Sequence, residues 1–304
     1  MLKWFLLKDG DETVKALVSD VMEGKYDSIL KFPKSYLSMV SDERPWKGKP
    51  HVTDLLNGPR MVFLKHTTDY AIDPGKSSFR VLGIQAHSKF ENYSEFGEVD
   101  LGDENVIGRT DLLEDNGDGT FTVTDYKVVG SYKVAQAIGI YKERVDVLDD
   151  NGNQVVFKSG AKVGQVKTKL ELRFDPLKAD KKDWTRQLNI YRMLIQKQLH
   201  LKVTKLQIFA VVRDGGTIAA FTRGLKDNTY LVPIDIFEES VVNGFVEEHS
   251  KELLDAFETG KPRICTAEEC WDGKRCREYC EVADACEAMG CEWLEKDSLL
   301  EEEE

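Results

Sequence analysis

The chain has no long hydrophobic run. None of its apolar stretches approaches the roughly 18 to 20 residues that a membrane-spanning helix needs. Near the start, the apolar stretch Trp4–Leu7 is followed by charge at Lys8, so it is too short for the core of a signal peptide. We therefore expect a cytoplasmic protein with no membrane partner, in a reducing compartment where cysteines stay available as ligands.

Two phosphate- and calcium-binding motifs are also absent. No Gly-x4-Gly-Lys-Ser/Thr sequence occurs, so the chain is not expected to have its own ATPase or helicase activity. The run Asp115–Gly119 begins like a calcium-binding loop, but its glycine comes one place early. Tyr126 also occupies the twelfth position, where a bidentate Glu is required. The run is instead typical of a turn between two strands.

Positive charge is the scarcer sign, with 42 Lys and Arg against 54 Asp and Glu and a formal net charge of −12. Phosphate contacts need bases, so a uniformly acidic surface would repel nucleic acid. The stretch 157–186 reverses this balance, and it is either a solvated hairpin and helix start or a surface that follows a phosphate backbone. The candidate DNA contacts in it are Lys158, Lys162, Lys167, Lys169, Arg173 and Arg186.

The hydrophobic content of 41% supports a substantial core in one elaborated domain or two. Helical and alternating patterns occur together, which predicts an α/β or α+β fold. Residues 11–50 give no clear assignment. The predicted elements are a helix over 52–65 with Thr53 or Asp54 as its cap and an interruption at Gly58-Pro59, a helix over 82–93, strands over 105–113 and 121–129, a hairpin about 149–153 with strands over 154–157 and 164–174, a helix over 184–199, a buried strand over 203–212 and a helix over 233–259.

Two carboxylates are candidates for a divalent-cation site. Alternation along residues 121–127 places Asp125 and Lys127 on the face of an apolar stripe, where a carboxylate requires a cation or a strong partner. Alternatively, both charges lie at the solvated end of the strand. The hairpin would bring Asp111 beside Asp125, and a shared Mg²⁺ or Mn²⁺ would keep both carboxylates ionised. A second Asp-x-Lys at 180–182 has no strand pattern and is not a candidate.

Three further side chains have a functional and an ordinary interpretation. Gln187 and Tyr191 lie one turn apart on the predicted helix over 184–199, but that face also forms a normal core stripe. His87, on the predicted helix over 82–93, is a candidate metal ligand or a surface or core histidine.

All six cysteines fall within the last forty residues. Such a cluster in a chain of this length indicates a metal or iron-sulfur site rather than a disulfide framework. The cysteines are Cys265, Cys270, Cys276, Cys280, Cys286 and Cys291.

Four short motifs follow one another along the middle of the chain. They are Gly83-Ile84-Gln85-Ala86-His87, Gly108-Arg109-Thr110-Asp111, Asp125-Tyr126-Lys127 and Gln187-Leu188-Asn189-Ile190-Tyr191. In this order and these contexts they resemble the RecB-like branch of the PD-(D/E)xK nuclease superfamily, which includes CRISPR-adaptation nucleases and the nuclease domains of bacterial recombination helicases. The resemblance spans roughly residues 52–212, and the cysteines extend it to 286.

The resemblance implies a restriction-endonuclease-like central mixed sheet flanked by helices. It also implies an N-terminal extension over 1–50, a nuclease core over 51–260, and a cysteine-rich metal-binding segment with an acidic tail over 261–304. The stretch between Lys127 and Gln187 is longer than the family usually has, which predicts an inserted basic hairpin at about 140–180 that shapes substrate access.

The resemblance also implies a role for each motif residue. His87, Asp111, Asp125 and the Tyr126 carbonyl would hold Mg²⁺ or Mn²⁺. Lys127 would position or deprotonate the attacking water. The remaining pair, Gln187 and Tyr191, would brace the site and contact DNA phosphate.

Relatives with an iron-sulfur cluster take one cysteine from an early helix and three from a C-terminal segment. Cys276, Cys280 and Cys286 resemble these three. At the early place the chain has Gly58, so a fourth ligand to a 4Fe-4S cluster would come from Cys265, Cys270 or Cys291. Zinc, whose ligands could all be local, is the alternative, and unliganded or disulfide-linked thiols are a third.

The sequence therefore predicts a Mg²⁺- or Mn²⁺-dependent deoxyribonuclease. We expect an exonuclease rather than an endonuclease, acting on DNA ends or single strands in recombination, repair, or phage or CRISPR DNA processing. A recombination or helicase partner is left open. The alternative is a non-catalytic nucleic-acid-binding or recombination scaffold stabilised by the zinc or iron-sulfur site.

Overall fold

Residues 1–91 and 99–291 are described by the structure, a computed structural model; for 87–91 the backbone alone is described. The fold mixes helices with several small sheets, so the predicted mixed α and β class is confirmed. The chain divides into two compact units. Unit 1 comprises Met1–Thr124, Arg186–Leu206 and the chain from Asp235 on, and unit 2 comprises Asp125–Thr185 and Gln207–Ile234.

The strands and helices are as follows in chain order. The strands are β1 (Leu2–Asp9), β2 (Glu12–Leu17), β3 (Tyr70–Ile72), β4 (Val99–Gly102), β5 (Ile107–Thr110), β6 (Leu112–Asp115), β7 (Thr120–Val129), β8 (Ile140–Asp146), β9 (Thr168–Phe174), β10 (Lys202–Val212) and β11 (Thr229–Ile234). The helices are α1 (Val18–Met22), α2 (Lys34–Ser41), α3 (Val52–Leu55), α4 (Pro59–Thr67), α5 (Ser78–Glu91), α6 (Ser131–Ala137), α7 (Lys182–Leu199), α8 (Ile218–Thr222), α9 (Glu239–Thr259), α10 (Ala267–Cys270), α11 (Lys274–Glu278) and α12 (Ala283–Ala288).

Unit 1 begins with a three-stranded sheet in the order β2-β1-β3. β1 and β2 form a tight antiparallel hairpin in which Asp9 pairs with Glu12, and Gly10 supplies the positive φ of +60° that such a turn requires. β3 lies parallel to β1 on its other side. This sheet gives structure to part of the region for which the sequence yielded no assignment.

The core of unit 1 joins elements that are distant in sequence. Phe5 and Leu7 of β1 belong to the same buried cluster as Leu64 of α4 and Ala256 of α9. Val282 belongs to it as well, between the short helices of the cysteine-rich segment. The segment that carries the cysteines is therefore packed against the N-terminal sheet through apolar side chains.

The region from β4 to β7 differs in one respect from the prediction. The single strand expected over 105–113 is wrong, because the chain bends at Asp111 and forms two short strands with different partners. β5 pairs antiparallel with β4, whereas β6 pairs antiparallel with β7. The turn of residues 116–119 between β6 and β7 is confirmed.

The predicted helical region over 52–65 is confirmed with its interruption at Gly58-Pro59, which separates α3 from α4. Neither Thr53 nor Asp54 is the N-cap residue of α3, however. His51 holds that position, and the Asp54 side chain accepts a hydrogen bond from the His51 backbone N–H at 2.8 Å, while the Asp54 N–H donates to the His51 carbonyl at 2.8 Å.

In unit 2, β8 and β9 form a long antiparallel ribbon from the pair Ile140–Phe174 to the pair Asp146–Thr168. β7, β10 and β11 are neighbours in the order β11-β10-β7. The helix expected from Pro233 is wrong at its start, because Pro233 lies within β11 and α9 begins at Glu239. Buried Val232 and Ile234 alternate with exposed Pro233, and this strand period prevails there. No helix in the described ranges is long and apolar enough to cross a membrane.

Gly139 provides a test of the β8–β9 ribbon. It has φ +84°, and an added Cβ would overlap the Asp175 carbonyl oxygen and lie 2.8 Å from its carbon. Gly152 has φ +81° with open space around it, so it is a matched control for backbone strain alone. We expect Gly139→Ala to lower the free energy of unfolding by about 1–3 kcal/mol more than Gly152→Ala, measured by urea denaturation. Equal losses would contradict this close approach.

Candidate functional site

Buried Asp125 and half-buried Lys127 form a charged pair in the second half of β7. The Asp125 side chain is 1% exposed, and the Lys127 Nζ lies 2.7 Å from its Oδ2. The interpretation that both charges lie at a solvated strand end is therefore wrong for Asp125. A buried carboxylate is stabilised by a cationic partner, and its oxygens are also the ligands that Mg²⁺ and Mn²⁺ prefer.

In unit 1, Gly108 and Tyr191 come from two different motifs and are in close contact. A Cβ added at Gly108 would lie 2.9 Å from Tyr191 Cε1 and 2.7 Å from Val52 Cγ2, so no larger residue fits there without a shift. Gln187 Nε2 is 3.3 Å from the Tyr191 hydroxyl, and both side chains are buried. The motif residues of β5 and α7 thus form one packed group.

Asp111 and Thr110 lie where β5 bends into β6, in unit 1. Asp111 is half-buried. The Thr110 hydroxyl is fully buried, and no described residue provides a hydrogen-bond partner for it. The register of β6 and β7 ends with Leu112 opposite Thr124, so Asp111 directly precedes one member of that pair in the chain.

The other predicted metal ligands are placed as follows. Tyr126 is half-buried in unit 2, with its ring 6.0 Å from the Phe209 ring in an edge-to-face arrangement. The side chain of His87 lies outside the described residues. Asp111, Gln187 and Tyr191 belong to unit 1, and Asp125, Tyr126 and Lys127 belong to unit 2.

A basic cavity that sequence reasoning missed adjoins the Gly108–Tyr191 contact in unit 1. It has a volume of about 580 Å³, and its lining includes Arg44, Lys47 and Arg109. Arg109 Nε is 2.7 Å from Asp100 Oδ1 and Arg44 Nη2 is 3.1 Å from Asp54 Oδ1, so two of these bases are already paired. The signal in the sequence was the three bases within 44–49, which lie in the region left unassigned.

His51 lines the same cavity. Its Nε2 is buried and has no hydrogen-bond partner within the described part of the chain. Burial, and next the positive charge of Arg44, hold the pKa of His51 below its usual range. A neutral imidazole that carries its proton on Nε2 could donate it to an anion.

The predicted DNA-contacting bases differ in how far they are already neutralised. Lys169 Nζ lies 2.7 Å from Glu171, and Arg173 is 3.1 Å from Glu143 on the facing strand. Arg186, in unit 1, is 3.2 Å from Glu268 and stacks over the Phe245 ring. Lys167 lies over the Phe157 ring. By contrast, Lys158 and Lys162 are exposed and have no ion-pair partner among the described residues.

Five of the six cysteines line one small cavity of about 20 Å³ in unit 1, together with Met61, Val282 and Ala283. Cys270 does not line it. Its buried sulfur points to the Ala267 carbonyl of its own helix, at 3.6 Å. All six are free thiols. The cavity is lined by Cys265, Cys276, Cys280, Cys286 and Cys291.

The environment of these thiols favours their neutral form when no metal is bound. Burial, then Glu269, raises the pKa of Cys265 from 9.0 to about 11. Burial, then Cys291, raises the pKa of Cys276 and of Cys286 to about 12. Within the described ranges no three His, Cys, Asp or Glu side chains already stand in a coordination geometry. A sulfur-lined cavity is nevertheless the donor chemistry that suits zinc or an iron-sulfur cluster.

The raised thiol pKa values predict how stability changes with pH in the metal-free protein. Unfolded thiols ionise near pH 9, whereas the folded thiols keep their protons to about pH 11 or 12. The folded state therefore binds more protons in this window, and the free energy of unfolding should fall as pH rises from 9 to 11. Denaturation of chelator-treated, reduced protein measures this.

Cys276→Ser/Cys286→Ser is the control for this pH dependence, because lysine and tyrosine titrate in the same window. The double variant should lose part of the slope. An identical slope in the parent and the double variant would show that these thiols do not contribute.

Comparisons with known proteins give no family assignment. No family model matches the chain. No curated protein matches it either. Among solved structures, the chain is similar to the crystal structure of SSO0001, at 15% identity and a TM-score of 0.37, over 84% of this chain and 93% of that chain. At that TM-score the likeness carries no argument.

Proposed function

We propose that the chain is a Mg²⁺- or Mn²⁺-dependent deoxyribonuclease with a restriction-endonuclease-like core of the PD-(D/E)xK type. The observation that carries the proposal is the buried Asp125 carboxylate with the Lys127 ammonium 2.7 Å away on the same strand. An ion pair of this kind gives little net stability, since an apolar pair of similar volume could replace it at little cost. Its presence in a buried strand favours a chemical role.

Asp111, Asp125, His87 and the Tyr126 carbonyl would hold the cation. Each carboxylate residue is the chain neighbour of one member of the last β6–β7 pair, Leu112 and Thr124. When bound, the cation would neutralise the charge that develops on the phosphoryl oxygens.

Lys127 would orient the attacking water by donating a hydrogen bond to it. Gln187 and Tyr191 would brace the strand that leads to Asp111, since Tyr191 packs against Gly108 and its hydroxyl accepts a hydrogen bond from Gln187. Their burial favours this bracing role over extensive contact with the DNA backbone.

The substrate would be held through its phosphates. Arg44, Lys47 and the neutral His51 would supply donors around the unit 1 cavity, and Lys158 and Lys162 would supply exposed cations in the segment of unit 2 that joins β8 to β9. These contacts would be independent of base sequence, which suits an exonuclease that acts on DNA ends or single strands.

The cysteine-lined cavity would hold the second metal centre, a 4Fe-4S cluster or, alternatively, zinc. Metal binding would displace the protons that the thiols carry in the metal-free state. The free energy of binding would then contribute to the folding of this segment of short helices, which has a small core of its own.

Asp125→Asn tests the proposed chemistry. It preserves the size of the side chain and removes the charge, so metal-dependent cleavage of labelled single- and double-stranded DNA should be abolished while DNA binding survives. Lys127→Ala should lower the rate by roughly 10²-fold or more, because a positioned proton-transfer group is lost.

Lys182→Ala, in the second Asp-x-Lys at the start of α7, is the matched control and should cut at the parental rate. Parental cleavage by folded Asp125→Asn protein would refute the nuclease site. Binding without any Mn²⁺-dependent cleavage by the parent would favour a scaffold instead.

The exposed Lys158 and Lys162, in the segment that joins β8 to β9, lead to a binding prediction. Lys158→Ala/Lys162→Ala should weaken DNA binding evenly across sequences and lower the salt slope by about 0.7–0.9 for each phosphate that the lysines no longer neutralise. Lys31→Ala/Lys251→Ala removes the same charge from exposed positions elsewhere and is the control. Fluorescence anisotropy over a salt series measures both. An unchanged salt slope in Lys158→Ala/Lys162→Ala would mean that these lysines belong to a solvated surface that does not contact DNA.

A further inference from the structure

The side-chain space of Gly58 is filled by the Cys265 thiol. Gly58 is the cap before α4, with φ −61° and ψ 137°, a conformation open to any residue. A Cβ built there would overlap the Cys265 sulfur and lie 3.1 Å from the Cys265 Cβ. A sulfur carried by residue 265 therefore occupies the place to which a side chain at position 58 would project.

The Cys265 sulfur is also held by the backbone of α4. The Met61 N–H, at the third helical position, donates a hydrogen bond to it. The Val282 N–H lowers the pKa of the Cys280 thiol, against the larger effect of burial, which raises it. Hydrogen bonds from backbone N–H groups to sulfur are a feature of metal-ligating thiolates and tune iron-sulfur centres.

The residues on both sides of Cys265 are fixed by charged contacts. Arg263 is bound by Glu252 at 2.7 Å and by Glu269 at 2.8 Å. Glu269 also accepts the Thr266 N–H at 2.7 Å in a capping box at the start of α10. The backbone on both sides of Cys265 is thus held in place by these contacts.

The chain next to Cys276 and Cys280 is bound to α4 and to the residues just before it. Arg275 donates a hydrogen bond to Asn57, the residue before Gly58, and Lys65 pairs with Glu281 at 2.5 Å. The Cys265 sulfur interacts electrostatically with those of Cys270, Cys276, Cys280 and Cys286, and the Cys291 sulfur interacts with those of Cys276 and Cys286.

We propose that Cys265 is the fourth protein ligand, with Cys276, Cys280 and Cys286, and that it takes the place which Gly58 leaves open. Cys291 lines the cavity without being required, and Cys270 is structural. The inference rests on the proposed cysteine-bound metal centre and specifies its ligands.

Single substitutions test the ligand set by metal content and absorbance. Protein purified without oxygen is analysed for iron, zinc and acid-labile sulfide per folded chain. Cys265→Ser should lose most of the metal and, for an iron-sulfur cluster, the broad visible absorbance. Cys291→Ser and Cys270→Ser are the matched controls and should keep both.

A relocated cysteine separates ligation from folding. Gly58→Cys/Cys265→Ala should recover metal, because the new thiol enters the space that the Cys265 sulfur leaves. Gly58→Cys alone should be destabilised by the overlap. A folded Gly58→Cys/Cys265→Ala protein without metal would overturn the shared position.

Two further outcomes distinguish this inference from the proposal beneath it. If the parent holds metal but Cys291→Ser loses it and Cys265→Ser does not, the assignment of Cys265 is wrong and the metal centre stands. Iron and zinc both far below one equivalent in the parent would overturn the metal centre and its ligand set together.

Discussion

The burial of Asp125 is the constraint around which the proposed chemistry is arranged. A carboxylate at 1% exposure in a strand must be compensated, and Lys127 at 2.7 Å does so within the same strand. Such a pair contributes little net stability. The desolvation of the two charges is therefore understood best if they take part in the proposed chemistry. In unit 1, Gly108, Tyr191 and Gln187 form a separate packed group, in which close contacts restrict the side chains to one arrangement.

The cysteine-rich segment has a different basis for its stability. Its helices α10, α11 and α12 span only a turn or so each, so propensity alone would not maintain them. Val282 anchors the segment in the core of unit 1, and Arg60 adds a hydrogen bond from α4 to the Met289 carbonyl at 2.6 Å. The buried thiols have pKa values raised by burial, so metal ligation would convert an unfavourable environment for thiolates into a favourable one.

Local signals in the sequence predicted local structure well. The turn of residues 116–119, the break at Gly58-Pro59 and the helix α7 all follow from turn chemistry and helical period. The β1–β2 hairpin was missed although its Gly10-Asp11 turn is a hairpin signal, and β11 was missed because its last two residues were included in a helix. The predicted site residues within a motif pair locally, as Asp125 and Lys127 do. The basic cavity around Arg44 depends on tertiary packing, which a single sequence does not give.

Gly58 and Gly108 show what the sequence could not reveal. In a motif each looks like a flexible residue or a missing ligand, and neither has a positive φ that would require glycine. The requirement comes instead from a distant side chain, Cys265 in one case and Tyr191 in the other, that occupies the space where a Cβ would lie. The need for glycine at position 58 is therefore explained by a residue about two hundred positions later, whose sulfur accepts a hydrogen bond from the Met61 N–H at the N-terminus of α4.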